Sequence, residues 1–120
     1  MKIIEKVNFG LKEIVNAESA TLVLKNFGNK QTKINGILIG SKEEIIEETG
    51  EIKNTKIGVI KTDKGELISS ISPTAIGSME TIISAYKDAE MLEEIEKGID
   101  IMIKSSKSAK GRDFYYLELL

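Results

Sequence analysis

The chain of 120 residues contains no cysteine and no histidine. The absence of cysteine excludes a disulfide framework and a thiolate metal site. The absence of histidine removes the side chain that most often serves as a general base and as a transition-metal ligand. The glycine-rich signatures of phosphate-binding loops and the Asp-rich loop of an EF-hand are also missing. These absences argue against most classes of enzyme and nucleotide-binding protein.

Two clusters of reactive side chains remain, and neither is a strong catalytic signal. The glutamates between residues 43 and 48 could form an acid/base pair or a magnesium site, but a solvated turn is the more common role of such a run. The serines at positions 69, 70 and 72 have no histidine to activate them, which leaves only a Ser–Lys dyad. We therefore predict a protein that is not an enzyme, holds no metal ion and needs no cofactor.

The sequence also lacks a long apolar run and a targeting segment. Its apolar runs are far shorter than a membrane span, and residues 1–4 lead directly into Glu5 and Lys6 without a signal-peptide pattern. With 41% hydrophobic and 30% charged residues, the composition is that of a globular protein. We expect one domain over residues 1–120, located in the cytoplasm without membrane contact, and the oligomeric state stays open.

The net charge is only −2, yet like charges are clustered along the chain. Acidic blocks at residues 43–51 and 88–96 are separated from a basic segment with Lys25, Lys30 and Lys33 and from a second basic segment at residues 104–112. Nucleic-acid binding by such a chain must come from local patches rather than from net charge. The clustering indicates a polar groove only weakly, because solvated surfaces show the same segregation.

Alternation of apolar and polar residues between turn signals predicts a mainly β chain. The expected strands cover residues 21–27, 32–40, 52–61 and 67–71, with turns at 28–30 and 63–65. Gly36 and Gly40 predict a bend of the kind that curls a small barrel. Residues 41–50 form either a capped helix or a hairpin tip, and we favour the hairpin because ten residues make a marginal helix. Residues 1–18 form a helix or a mixed N-terminal arm, since near-helical apolar spacing is interrupted at Gly10.

One helix is predicted over residues 73–87. Ser72 is a favourable N-cap, and Pro73, the only proline, suits the first helical position. One apolar face follows at Ile76, Met79, Ile82, Ile83 and Tyr86. Residues 88–97 are expected to be an acidic end or loop. The order of several strands, one helix and a final hairpin is that of an OB-fold, a five-stranded Greek-key barrel.

The C-terminal residues 99–120 predict a hairpin with one buried face. Its strands are expected at 99–104 and 113–120, joined by a basic loop at 105–112. Alternation assigns the core face to Ile99, Ile101, Ile103, Tyr115, Leu117 and Leu119. The opposite face of the second strand then carries Phe114, Tyr116 and Glu118, which leaves both rings partly exposed unless a helix or the N-terminal arm covers them.

Cations and aromatic rings meet at this hairpin. The loop region holds Lys104, Lys107, Lys110 and Arg112. Cations that contact phosphates, next to exposed rings that stack on bases, are typical of surfaces that bind single-stranded nucleic acid. Phe27 lies on the same side of the first expected strand as Lys25. We therefore expect its ring, like those of the hairpin, to be partly exposed next to a cation. The other interpretation is a solvated surface hairpin without a ligand.

Two segments and the helix between them resemble the small single-stranded-DNA-binding proteins of tailed bacteriophages, including those that prime replication with a protein. The segments are IKTDKGELISSISPT at residues 60–74 and SKSAKGRDFYYLEL at residues 106–119. The resemblance implies an OB-fold, sequence-tolerant binding of single-stranded DNA and protection of single strands during phage DNA replication in a bacterial host. By position, it places Lys110, Phe114 and the strand after Gly65 in the binding groove. Ile68 lies on that strand, where relatives can have an aromatic residue.

The expected partner is therefore single-stranded DNA, with replication proteins as further candidates. The main alternative is a small phage or mobile-element accessory protein that acts by protein–protein contact, as a replisome adaptor or an anti-defence factor. Its acidic blocks would then form the contact surface. A small-ligand binder or an enzyme is the third and weakest possibility.

Overall fold

The computed structural model describes residues 1–120 and contains seven strands and three helices. In chain order the elements are β1 (Lys2–Val7), α1 (Leu11–Ala17), β2 (Leu22–Val23), a 3₁₀ turn (Leu24–Phe27), β3 (Lys30–Ile45), β4 (Ile52–Thr62), β5 (Leu67–Ser70), α2 (Pro73–Asp88), α3 (Leu92–Lys97), β6 (Ile99–Lys107) and β7 (Asp113–Leu119). The predicted order of strands, helix and final hairpin is confirmed. The predicted counts are wrong, because five strands and one helix were expected. None of the three helices combines the length and the hydrophobicity that crossing a bilayer demands.

All seven strands belong to one curled sheet with the order β2-β5-β4-β3-β6-β7, and β1 pairs with β3 outside that path. The long strand β3 organises the sheet. It pairs with β4 over most of its length, while its first residues pair with β6 and its later residues pair with β1. The register with β4 shifts between Ile34 and Gly36. At Gly36 a Cβ atom would lie 2.9 Å from Lys61 Cε and 3.0 Å from the carbonyl oxygen of Val7, so only glycine fits where β1 ends.

The sheet buries apolar side chains on both of its faces. The main core inside the curl contains 17 buried residues, and α2 supplies Ile76, Met79, Ile82 and Ile83 to it. A smaller core on the opposite face consists of Phe9, Ala17, Leu38, Ile57 and Val59. This second core forms because Phe9 and α1 cover the outer face of β3 and β4, while β1 extends the sheet beside β3. Residues 1–18 are therefore a strand followed by a helix. Of the two predicted alternatives, a helix or a mixed arm, the structure has the mixed arm.

The segment at residues 21–27 differs from its prediction. Only Leu22 and Val23 are extended, paired in parallel with β5, and a 3₁₀ turn replaces the rest of the expected strand. In a strand, Leu24 and Phe27 would point to opposite faces, whereas a 3₁₀ turn aligns side chains three residues apart. Leu24 is buried in the main core and Phe27 packs against it, so the turn directs both residues inward.

Two other uncertain segments take definite forms. The hairpin interpretation of residues 41–50 is confirmed, because β3 continues to Ile45 and turns into β4 at Ile52, with Gly50 at a φ of +69°. Residues 92–97, expected within an acidic end or loop, form α3 instead. Its Ile95 is completely buried in the main core, which gives this short helix an apolar anchor.

The predicted faces of the C-terminal hairpin are confirmed except at its end. Ile101 and Ile103 are fully buried and Leu117 is nearly so, while Tyr115 packs partly buried against the main core. Leu119 was expected in the core and is 42% exposed. It is the last residue of β7 and lines an open surface cleft with Ala85 and Tyr86 near the end of α2, so alternation places it on the core side without burying it.

Candidate nucleic-acid interface

The tip of the β6–β7 hairpin presents three exposed cations on a hydrogen-bonded turn. Strand pairing continues to Lys107 and Asp113, so the turn spans residues 108–112 and is shorter than the predicted loop. The Ser108 amide donates to the carbonyl oxygen of Arg112 at 2.9 Å, and the Arg112 amide donates to Ser108 Oγ at 3.2 Å. The side chains of Lys107, Lys110 and Arg112 all lie exposed at this tip. Their positions relative to the strands are therefore set by the turn.

Two aromatic rings lie side by side on the outer face of β7. The ring centroids of Phe114 and Tyr116 are 6.1 Å apart and the ring planes differ by 29°. Both side chains are half-buried, so each keeps part of its ring accessible to solvent. Lys104 is paired directly opposite Tyr116 in the register of the hairpin, which places its side chain on the same face of the sheet. Lys104, Phe114 and Tyr116 are thus brought together as predicted.

The segment before β3 is attached to this hairpin. The Asn29 amide donates to the carbonyl oxygen of Ile103 at 2.6 Å, and Asn29 Nδ2 donates to Ser105 Oγ at 3.2 Å. The ammonium of Lys30 lies 5.5 Å from the centroid of the Phe27 ring, within the range of a cation–π contact. Phe27 is half-buried, because its inner side packs against the main core. These contacts place Phe27 and Lys30 next to the hairpin, but Lys30 is paired with Ile103 and therefore lies on the other sheet face from Phe114 and Tyr116.

Lys25 also reaches the aromatic hairpin. Together with Phe114 it lines a cleft of about 470 Å³ between the 3₁₀ turn, the end of β5 and the start of β7. Lys33 lies farther away. It is paired with Asp100 in the register of β3 and β6, and its side chain extends beside Gly98. Lys33 is exposed on the same sheet face as the Phe114 and Tyr116 rings, three residues along β3 from Lys30.

The predicted place of Ile68 in the groove is wrong. Ile68 is only 1% exposed and belongs to the main core, where it is paired with Ile60 of β4. The resemblance located the correct strand but could not fix its faces, because both Leu67 and Ile68 are apolar. Ser69, on the opposite face of β5, instead donates to the carbonyl oxygen of Leu22 and holds β2 in place.

The cations of this surface have no acidic partners within the protein. The four salt bridges are the pairs Met1–Glu18, Lys56–Glu80, Lys61–Glu13 and Lys97–Glu94. The lysines and the arginine predicted for DNA contact take part in none of them. Asp113, opposite Lys107 in the register, and Glu118 are the acidic residues nearest the rings along the hairpin. An unpaired surface cation can bind a phosphate without first breaking an ion pair.

Sequence reasoning missed two features outside this surface. One is Lys61, which is 7% exposed and bridges β4 to the N-terminal arm through a 2.7 Å contact with Glu13. The other is the tip of the β3–β4 hairpin, where the paired residues Ile45 and Ile52 are 72% and 64% exposed. A lysine directly after the apolar run at residues 57–60 of β4 was the available signal for the first. The isoleucines within the acidic block were the signal for the second.

Comparisons with known proteins give one match. The model of the family described as phage single-stranded DNA-binding protein, of the phi29 type, matches residues 11–120. Searches of curated proteins and of solved structures found no match. The matched range covers nearly the whole chain, including α1 and every element of the cationic and aromatic surface, and it confirms the resemblance noted in the sequence. The chain belongs to the family of phi29-type phage single-stranded DNA-binding proteins.

Proposed function

We propose that this protein binds single-stranded DNA without strong sequence preference and protects single strands during phage DNA replication in the cytoplasm of the bacterial host. The observation that carries the proposal is the surface around Phe114 and Tyr116, where two adjacent rings adjoin cations that have no partner in the protein. Family membership supports the same conclusion.

The chemistry of the surface accounts for tolerance of sequence. Lys107, Lys110 and Arg112 at the hairpin tip would contact phosphates, which every nucleotide carries. Phe114 and Tyr116 would stack on bases, and every base offers a π-face. Duplex DNA hides those faces within the base stack, so this mode of binding requires single strands. Nothing in it requires bond making or breaking, in keeping with a protein that is not an enzyme.

We further propose that residues 1–120 form one OB-like domain. The sequence of elements β3, β4, β5, α2, β6 and β7 is that of the five strands and the helix of an OB-fold. In this interpretation α1 is an added layer on the outer face, and β1 and β2 are added strands of the sheet. The sheet order supports it, since β3 pairs with both β4 and β6.

The proposal is tested by titrating a fluorescent oligonucleotide, as a single strand and as a blunt duplex of equal length. The single strand should bind more tightly. Phe114→Leu, which removes the π-face but keeps an apolar side chain, should weaken single-strand binding about fivefold or more. Tyr86→Leu, a change of another half-buried ring near the C-terminal end of α2, is the control and should have no effect. Equal affinity of the wild type for both forms would contradict the proposal.

A second function by protein–protein contact is favoured by the β3–β4 tip. The exposed isoleucines Ile45 and Ile52 are surrounded by glutamates that repel DNA phosphates, so this tip suits a basic protein surface rather than DNA. An accessory protein would use it as its main contact. The variant Ile45→Ser/Ile52→Ser should then retain its affinity for single strands and lose its effect on a reconstituted phage replication reaction. An unchanged effect on replication would argue against this second function.

A further inference from the structure

The cleft next to Phe114 lies where the curled sheet fails to close. β7 is the last strand at one end of the sheet order, and at the other end β2 covers the edge of β5 over only two residues. The cleft between these edges has a volume of about 470 Å³ and is lined by both apolar and polar groups. A concave site of a few hundred cubic ångströms, largely apolar with a few polar groups, is the usual form of a small-molecule site.

The edge of β7 that faces the cleft carries backbone groups without a strand partner. The Leu117 amide donates to Ser78 Oγ of α2 at 2.9 Å, so at Leu117 the backbone points away from β6. Because this direction alternates along an antiparallel pair, the N–H and C=O groups of Tyr115 and Asp113 also point away from β6. β7 pairs with no strand other than β6. The groups of Tyr115 and Asp113 therefore remain available to a ligand in the cleft.

The walls of the cleft are suited to a flat heteroaromatic ring. Phe114 and Tyr115 contribute aromatic surface, and Ile71, at the end of β5, contributes an apolar side chain that is 68% exposed. Asp113 adds a carboxylate that can accept a hydrogen bond from a base N–H group, such as the amino group of cytosine or the ring N3–H of thymine. A free phosphate fits poorly, because this carboxylate would repel it.

We infer that the cleft takes one unstacked nucleobase of a bound single strand, with the adjoining phosphate at Lys25. The inference rests on the proposed function and adds an inserted base to the bases stacked on the outer rings. Continuity with the outer surface supports it, since Lys25 and Phe114 belong to both. The strand would pass from the hairpin tip along Phe114 and turn one base inward between β5 and β7.

Photo-cross-linking locates the base directly. Short oligothymidylate containing 5-iododeoxyuridine is irradiated with the wild-type protein, and the cross-linked peptides are mapped by mass spectrometry. Cross-links at Tyr115 or Ile71 are expected, because these residues face the cleft. The absence of any cross-link at Tyr115 or Ile71, with normal affinity, would overturn the inserted base and leave the proposed function standing, since Phe114 can be reached from the outer face as well as from the cleft. Failure of the protein to bind the oligonucleotide would overturn both.

A matched pair of variants provides the second test. Ile71→Ala removes an apolar wall of the cleft, while Ile45→Ala makes the same change at a similarly exposed position on the remote β3–β4 tip. Affinity for oligothymidylate should fall about three- to tenfold in the first variant and stay unchanged in the second. The two variants should bind an abasic strand of equal length with the same affinity, because Ile71 would contact only the base and not the sugar or the phosphate.

Two results would contradict this account while leaving single-strand binding intact. If Ile71→Ala and Ile45→Ala bind oligothymidylate equally, the cleft is empty in the complex. If Ile71→Ala weakens binding to the abasic strand as much as to oligothymidylate, the cleft holds backbone rather than a base. Ile71 precedes the N-cap of α2 and lines a second cleft together with Ile76, so the melting temperature of Ile71→Ala is measured alongside. An unchanged melting temperature assigns the loss of affinity to the cleft.

Discussion

Lys61 and Glu13 hold the N-terminal arm against the sheet, and their contributions to stability should be unequal. The Lys61 side chain is 9% exposed, and its ammonium lies 2.7 Å from Glu13 Oε2 and 5.2 Å from the centroid of the Phe9 ring. It also donates to the carbonyl oxygen of Asn8. Glu13 is 35% exposed and accepts the Gly10 amide at 2.9 Å. Lys61 thus depends on Glu13 for its counter-charge, while Glu13 retains a backbone donor and solvent.

The substitution Glu13→Gln keeps the shape and the acceptor oxygen but leaves the buried ammonium without a counter-charge. Removing one partner of a fully buried pair costs about 3–5 kcal/mol, and partial exposure of Glu13 reduces the expected loss to about 2 kcal/mol. The substitution Lys61→Met fills a similar volume without a charge and should cost less than about 1 kcal/mol. The double variant should therefore be more stable than Glu13→Gln alone, by about 1 kcal/mol.

Urea unfolding at pH 7, followed by far-UV circular dichroism, measures these differences. Hydrogen exchange of the Ile14 amide, which donates to the carbonyl oxygen of Gly10, reports whether α1 opens before the sheet unfolds. The reasoning is refuted if Lys61→Met is as destabilising as Glu13→Gln, or if the double variant is the least stable of the three. Either result would mean that the ion pair contributes net stability instead of compensating for a buried charge.

The same pair gives the arm a defined pH dependence. The Gly10 amide, and after it Lys61, lower the pKa of Glu13 below its usual range. A carboxyl whose pKa is lower in the folded state stabilises that state above its unfolded pKa, and this contribution is lost as the pH falls through the folded pKa. Protection of the Ile14 amide should therefore decrease in acid, below about pH 4. In Lys61→Met the decrease should be smaller and complete at a higher pH, because the folded pKa of Glu13 then lies closer to its unfolded value.

Three further predictions follow from the packing of α2 and β7. Phe114→Ala should weaken single-strand binding by about 1–3 kcal/mol with little change in stability, whereas Tyr115→Ala should lower the free energy of unfolding by about 2–4 kcal/mol; the opposite pattern would mean that the faces of β7 are inverted. Gly58→Ala should lower the free energy of unfolding, measured in urea, by more than about 1 kcal/mol, because the new Cβ would lie 2.5 Å from the sulfur of Met79 on α2. Ser78→Ala should cost about 1–2 kcal/mol, because the Leu117 amide loses its acceptor; a neutral result would show that water replaces the hydroxyl.

The C-terminal half of the fold could be predicted because its local patterns agree with its tertiary contacts. Alternation along β6 and β7 gives their faces directly, since only one face of that hairpin is buried. The start of α2 that Ser72 and Pro73 predict agrees with the structure, and the apolar stripe ends in the last turn of the helix. The candidate rings Phe114 and Tyr116 follow from the same alternation.

In the N-terminal half, the strands β3, β4 and β5 could be predicted, but the arm at residues 1–18 and the faces of β3 could not, because their patterns arise from packing on two faces. Ile37, Leu38 and Ile39 are all fully buried, two in the main core and one in the outer core, so no alternation marks the faces of β3 there. The near-helical spacing of residues 1–18 combines a strand that pairs with β3 and a helix that packs on the outer face of the sheet. The cleft beside Phe114 is not visible in the sequence either, because Lys25, Ile71 and Phe114 meet only through the curl of the sheet.

Salt dependence of single-strand affinity tests most directly whether the hairpin tip binds phosphates. Binding constants are measured by fluorescence anisotropy at several salt concentrations for the wild type, for Lys107→Ala/Lys110→Ala and for the control Lys12→Ala/Lys87→Ala. The control removes the same charge from exposed positions on α1 and α2 that form no ion pairs. The wild type should lose affinity as salt rises, with a logarithmic slope of about −2 or steeper. The hairpin variant should be shallower by about 1.4, while the control keeps the wild-type slope. A salt-independent affinity, or equal slopes in the hairpin and control variants, would contradict the account.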